Sequence, residues 1–172
     1  MKKNKLKVET YKIKSWKETV TGLVISENKS WVLVQNVPSD YRLDGYTLYR
    51  KAFIKKRMNK TDEKQVERVL KLRKTQITMP KKLKFGSTSS ILKSLEKKFG
   101  LFEFQDYDED VLFYGKINKL KKDKLVIDMI KSDGTIEKKF DATFSLNKIR
   151  AISFGTDYFN AIVLMMKDGL KK

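Results

Sequence analysis

Lysine and arginine are the residues of this chain whose type and spacing point most directly to a chemistry, and that chemistry is anion binding. Lys55, Lys56, Arg57 and Lys60 stand together, Lys64, Arg68 and Lys71 follow at helical intervals, and Lys81, Lys82 and Lys84 form a third group. On a helix, positions 64, 68 and 71 fall along one exposed stripe, opposite Val66 and Val69. Such a stripe can follow a phosphate backbone without reading bases, with an affinity that falls steeply as salt rises. The net charge of +18 is concentrated accordingly: residues 55–100 carry fifteen basic against four acidic side chains, and residues 101–172 thirteen against twelve. A second excess, seven lysines against two acids, lies in residues 1–20. Thirty-three of the 39 basic residues are lysine, however, and six are arginine. Base-edge and bidentate phosphate contacts favour arginine's planar fork, so a solvated, edge-protecting surface is the competing reading.

Other polar clusters read as structure first. Asp106, Asp108, Glu109 and Asp110 offer oxygen ligands for a hard cation but lack the glycine and spacing of an EF-hand loop. Asp40, Tyr41, Asp44, Gly45 and Tyr46 can form a polar rim, although Asp44-Gly45 is an ordinary turn dipeptide. Trp16 and Trp31 lie among basic residues and can stack bases, but Trp31 sits inside an apolar run and reads as core. The chain has no histidine and no cysteine, which removes the side chains most used for proton transfer near neutral pH, thiol chemistry and tight zinc binding. No glycine-rich phosphate loop and no Gly-x-Ser-x-Gly motif is present. No catalytic residue, metal ligand or cofactor site is therefore expected, and the protein reads as non-enzymatic.

With no cysteine to pair, no oxidising compartment is required. Lys12, Lys14 and Lys17 break every stretch that could serve as a signal core, and the apolar run Ala161–Met166 is too short to span a bilayer. The cytoplasm is the expected location, with no membrane association.

The elements that must position these groups are mostly strands. Residues 18–26 and 30–38 flank a turn at Glu27-Asn28-Lys29 and read as a hairpin, with a further strand from Tyr46 to Tyr49. Residues 61–74 switch to a helical period that places Val66, Val69, Leu70 and Arg73 on one face, with Thr61 as N-cap. A second helix runs from about Ser89 to Phe99 and ends at Gly100. Residues 101–107, 111–120, 124–130, 136–144 and 149–154 return to strand patterns, with a bend or bulge at Gly115 and a turn at Ser132-Asp133-Gly134-Thr135. Thr156 or Asp157 then opens a terminal helix that buries Tyr158, Ile162 and Met165. An internal echo links Thr21-Gly22-Leu-Val24, followed by Trp31-Val-Leu-Val34, to Tyr114-Gly115-Lys-Ile117, followed by Leu125-Val-Ile-Asp128.

The stretch Asp110-Val-Leu-Phe-Tyr-Gly115-Lys-Ile-Asn-Lys-Leu120, then Leu125–Ile130, Ser132-Asp-Gly134 and Phe144-Ser-Leu-Asn-Lys-Ile149-Arg-Ala-Ile152, resembles the Sm-like or SH3-like barrels of bacterial proteins. The resemblance covers residues 101–155 and implies a fold more than a function. Sm-type uridine recognition uses an Asp/Asn motif and an Arg-Gly pair. Here Arg150-Ala151 departs from the second and Leu125-Val-Ile-Asp128 lacks the asparagine of the first, so Arg150 reads as a strand-surface residue.

The expected fold is mainly β with a few helices (α+β), as two small SH3/Sm-like β-barrel modules joined by a basic helical segment. A basic arm covers 1–17, a first module 18–58, a helical connector 59–100, and a second barrel with its C-terminal helix 101–172. Phe102, Phe104, Leu112, Ile117, Val126, Phe144, Ile149 and Ile152 are the expected inward positions of the second barrel. The functional expectation is a non-catalytic binding protein with a protein partner. The alternative is nucleic-acid backbone binding through residues 55–100, with the ten basic residues named above as its contacts.

Overall fold

Ten strands and three helices form among the residues that the computed structural model describes, which are 6–81, 83, 85–137, 140 and 142–169. They fall into two units, Met1–Pro80 and Lys81–Lys172. The first holds β1 (Val8–Ile13), β2 (Thr19–Glu27), β3 (Trp31–Asn36), β4 (Tyr46–Arg50), β5 (Ile54–Met58) and α1 (Thr61–Leu72), with a 3-10 turn at Lys51–Phe53. The second holds α2 (Thr88–Phe99), β6 (Phe102–Gln105), β7 (Phe113–Lys121), β8 (Lys124–Met129), β9 (Thr143–Ser145), β10 (Ala151–Phe154) and α3 (Asp157–Gly169). No described helix is long and apolar enough to cross a membrane.

The expectation of two small barrels joined by a helical segment is overturned. In each unit the strands lie in an open antiparallel array, in the order β5-β1-β2-β3-β4 in the first and β10-β6-β7-β8-β9 in the second. The end strands β5 and β9 take no further strand among the described residues. Lys55 and Lys56 occupy the β5 edge and β9 is three residues long, and charge and shortness are what keep an open edge from recruiting another strand. The helices do not form a connector either: α1 packs on β1, and α2 packs on β6 and β7.

Each unit's interior is built on its strands, several of which are buried at consecutive positions. Val8 and Leu23 meet Leu70 of α1, while Leu33, Leu48, Trp31 and Tyr11 are buried along the first unit's strands. Residues 8–13, expected within a basic arm, form β1, whose Val8, Tyr11 and Ile13 are buried. In the second unit Phe102, Phe104, Phe144, Ile149 and Ile152 are buried, but Leu112 is 38% exposed and Val126 gives way to Leu125 and Ile127. Strand neighbours point to opposite faces, so a one-residue error in phase exchanges the inner and outer sets. In α3 the same slip applies: Phe159, Ile162, Val163 and Met166 are buried, while Tyr158 and Met165 are exposed.

The two units share their registers. Adding 93 to Glu9↔Gly22, Thr10↔Thr21 and Tyr11↔Val20 returns the β6–β7 pairs Phe102↔Gly115, Glu103↔Tyr114 and Phe104↔Phe113. The same offset carries β2–β3 onto β7–β8, including the register break, between Val24 and Ser26 in one and Ile117 and Lys119 in the other. From the fourth strand the offset is 95. Leu33↔Leu48 matches Val126↔Thr143, and Tyr11↔Arg57 matches Phe104↔Ile152. Gly22 and Gly115 are equivalent for one physical reason. A Cβ on Gly22 would lie 2.5 Å from Val34 Cγ2, and one on Gly115 would lie 3.0 Å from Ile127 Cβ, with Val34 and Ile127 themselves equivalent. The helices α1 and α3 shift by one residue more: α1 opens at Thr61 and α3 at Asp157, and the inner positions Glu63, Val66, Glu67 and Leu70 match the buried Phe159, Ile162, Val163 and Met166.

Candidate functional site

The helix α1 is built by its ends and its inner face. The Glu63 carboxylate reaches back to accept from the Lys60 backbone N–H at 2.6 Å, so Lys60 takes the N-cap position expected for Thr61. Asp62 and Glu63 also suit the positive end of the helix dipole. At the other end Lys74 adopts a left-handed φ of 54°, which lets the Thr75 N–H reach the Leu70 carbonyl at 3.0 Å. Leu70 anchors the inner face. Glu67 fastens α1 to β1, accepting from the Val8 N–H at 3.0 Å and from Asn59 Nδ2 at 2.8 Å. Burial alone would raise the Glu67 pKa, but the hydrogen bonds from Lys64, Val8 and Asn59 outweigh it and hold the carboxyl low. Tyr41 of the β3–β4 loop clamps one flank: Gln65 Nε2 donates to its hydroxyl at 2.6 Å and Arg73 Nη1 to its carbonyl at 2.9 Å.

What remains outward is a mixed face. Thr61, Lys64, Gln65, Arg68, Val69 and Leu72 line an open recess along α1, and Leu72 is 74% exposed. Lys64 Nζ lies 2.9 Å from Glu67 Oε2, while Arg68 and Lys71 extend the stripe into solvent. Cations and an exposed leucine therefore share one surface. Leu72 had no place in the sequence reading, because it falls off the Val66, Val69, Leu70, Arg73 face. Its position between Lys71 and Arg73, apolar where the pattern calls for polar, is the signal that marks it.

The other basic residues are dispersed. Lys55 and Lys56 are exposed on the β5 edge, where successive side chains point to opposite faces. Arg57 is held in an ionic cluster. Its Nε and Nη2 donate to Glu9 Oε2 at 2.8 and 2.6 Å, and its Nη1 to Glu27 Oε2 at 2.9 Å. Lys7 and the Tyr11 hydroxyl complete the shell of Glu9, and Lys51 pairs with Glu27. Lys60 stands at the start of α1, and Lys81 is exposed before α2. Lys82 and Lys84 lie outside the described residues.

The remaining sequence candidates are occupied structurally. Asp106 accepts from the Tyr107 N–H at 2.6 Å and Asp108 from the Asp110 N–H at 2.9 Å, so these carboxylates fold their own loop. Among the described residues no cluster of three carboxylates or other metal-binding side chains is assembled. Arg150 is not a strand-surface arginine: it is 6% exposed, its Nη1 donates to the Tyr107 carbonyl at 3.2 Å, and its guanidinium lies 4.9 Å from the Tyr107 ring. Trp16 is buried edge-on to Tyr49, and Trp31 is buried with the Arg50 guanidinium 4.5 Å from its ring. The buried carboxyls of Glu9 and Glu103 were missed. Glu103 is buried between the hydroxyls of Tyr114 and Ser153, and burial pushes its pKa up despite those hydrogen bonds.

Comparison with protein-family models, with curated proteins and with solved structures gives no match.

Proposed function

We propose that this chain is a non-catalytic binding protein of the cytoplasm that takes an acidic protein partner on the outer face of α1. The observation that carries this reading is the exposure of Leu72 in the same recess as Lys64 and Arg68. A solvated leucine contributes nothing to a phosphate backbone, whereas covering it against a partner side chain is worth about 2 kcal/mol. The cations add steering and register more than affinity. Nucleic-acid backbone binding is the second reading, favoured by the alignment of Lys64, Arg68 and Lys71 along one stripe.

A fluorescence titration separates the two. The probes are a labelled peptide of alternating glutamate and leucine blocks and a labelled twenty-nucleotide oligothymidine, each at low and physiological salt. The protein-partner reading expects the peptide to bind and to keep part of its affinity as salt rises, because apolar contact is not screened. Tight oligothymidine binding with a steep salt slope and no peptide binding would replace it with the second reading.

A further inference from the structure

The outer face of α3 carries apolar side chains that a helix in this place does not require. Tyr158, Leu164 and Met165 are 56%, 68% and 49% exposed, and Ala161, also exposed, lies between them. The equivalent outer positions of α1 are Asp62, Gln65, Arg68 and Val69, the first three polar and exposed. The architecture is therefore compatible with a solvated outer face, and the apolar one on α3 is a patch that association would bury. Tyr158 is already held there by its ring contact with Tyr114, at 6.0 Å between centroids.

This face is complementary to itself. At about 3.6 residues per turn, Tyr158 and Met165 lie on one flank of Ala161, and Asp157, Leu164 and Lys167 on the other. A second α3, turned end for end about a two-fold axis at Ala161, sets its Met165 against Tyr158 and its Lys167 against Asp157, and the same pairs repeat at the other end. A thioether packs well on the edge of an aromatic ring. Ala161 meets its own copy on the axis, where its small side chain lets the two helices approach closely. Charge permits the contact, since residues 101–172 carry thirteen basic and twelve acidic side chains.

From this we infer that a second copy of this chain covers the outer face of α3, the two helices lying antiparallel about Ala161. The inference goes beyond the acidic partner of α1 and does not depend on it. One short helix face is smaller than the roughly 800 Å² per partner of a standard interface, so the dimer forms at protein concentrations on the order of 10–100 μM.

The test uses the full chain, which has no cysteine of its own. Sedimentation velocity should show monomer in dilute samples and dimer as concentration rises. Leu164→Lys, at an exposed position, should leave the melting temperature of a dilute sample unchanged and abolish the dimer. Lys167→Asp, which sets like charges against each other at both ends, should weaken it about tenfold. Ala161→Cys should form an interchain disulfide on mild oxidation. Asp168→Cys should not, because in an antiparallel pair it stands about 20 Å from its own copy. Cross-linking at both positions makes the helices parallel and overturns the arrangement. A chain that stays monomeric at millimolar concentration, or a dimer untouched by Leu164→Lys and Lys167→Asp, overturns the inference. Capture of a monomeric chain by vesicles of anionic phospholipid, lost in Leu164→Lys, overturns it in favour of a lipid surface.

Discussion

Lys64, on the outer face of α1, and Phe159, on the inner face of α3, have opposite surroundings. Phe159 is fully buried against Phe99, while Lys64 is exposed with its ammonium 2.9 Å from Glu67. Truncation separates them. Phe159→Ala should cost about 3–5 kcal/mol, and Lys64→Ala should stay within about 0.5 kcal/mol of the parent. Denaturant melts of the two variants check this, and equal losses would contradict the burial of the one and the exposure of the other.

Gly22 and Gly115 offer a second comparison. Gly22→Ala drives a methyl into Val34, and Gly115→Ala drives one into Ile127 and the Asp128 carbonyl. Each should destabilise by roughly 1–3 kcal/mol. Val34→Ala removes the Cγ2 contact at 2.5 Å but leaves the Val34 Cβ at 2.6 Å and the Gln35 carbonyl at 3.1 Å, so it should recover only part of the loss at Gly22. Ile127→Ala should likewise recover only part of the loss at Gly115, where the Ile127 Cβ and the Asp128 carbonyl both stay 3.0 Å away. Double-mutant cycles measure both couplings.

Two buried glutamates pull the pH dependence of stability in opposite directions. Burial raises the Glu9 pKa, but hydrogen bonds from Lys7, Arg57 and Tyr11 outweigh it and hold the group below its ordinary value. Its folded-state pKa being lowered, Glu9 contributes stability above the unfolded carboxylate pKa, and that contribution is lost as pH falls through the folded value. Glu9→Gln should cost roughly 2–3 kcal/mol at neutral pH and flatten the acid limb. Glu103 has the other sign. Its raised folded-state pKa gives stability that is present below the unfolded pKa and lost as pH rises through the folded one. Glu103→Gln should therefore compare best with the parent at neutral pH and worst in acid. Melting temperatures across pH 3–8 test both variants, and parallel curves would contradict the assignment.

Helices were legible in the sequence because their signals are local: Ser87 and Gly100 bracket α2 within one turn of each end. The strands β2 and β3 were legible from their β-branched runs around Asn28, whose side chain accepts from the Ser30 and Trp31 N–H groups at 2.8 Å. Strands β1 and β5 were not. Lysines and an arginine obscure Val8–Ile13 and Ile54–Met58, which are strands because they pair with each other across a long stretch of chain, β1 also pairing with β2. Such pairing leaves no local mark, and neither does the difference between a closed barrel and an open sheet. The stripe Lys64, Arg68, Lys71 could be read from spacing alone. Its meaning could not, because it depends on Leu72 lying beside it.

Leu70 and Leu72 are two residues apart on α1 and should behave as different kinds of residue. Leu70 is buried with Val8 and Leu23, so Leu70→Ala should cost about 2–5 kcal/mol and loosen α1 from β1. Leu72→Ser should change stability by less than about 0.5 kcal/mol. Hydrogen exchange of the α1 amides reports the difference: faster in the first variant, unchanged in the second.

That neutrality makes Leu72→Ser the most direct test of recognition by the α1 face. The measurement is the affinity of parent and variant for the labelled glutamate–leucine peptide, at low and at physiological salt. Loss of the leucine contact predicts a weakening of about tenfold at both salt concentrations, since an apolar contact is not screened. Equal affinities for parent and variant would contradict the account, because binding would then owe nothing to the one exposed apolar side chain that sets this face apart from a solvated row of lysines.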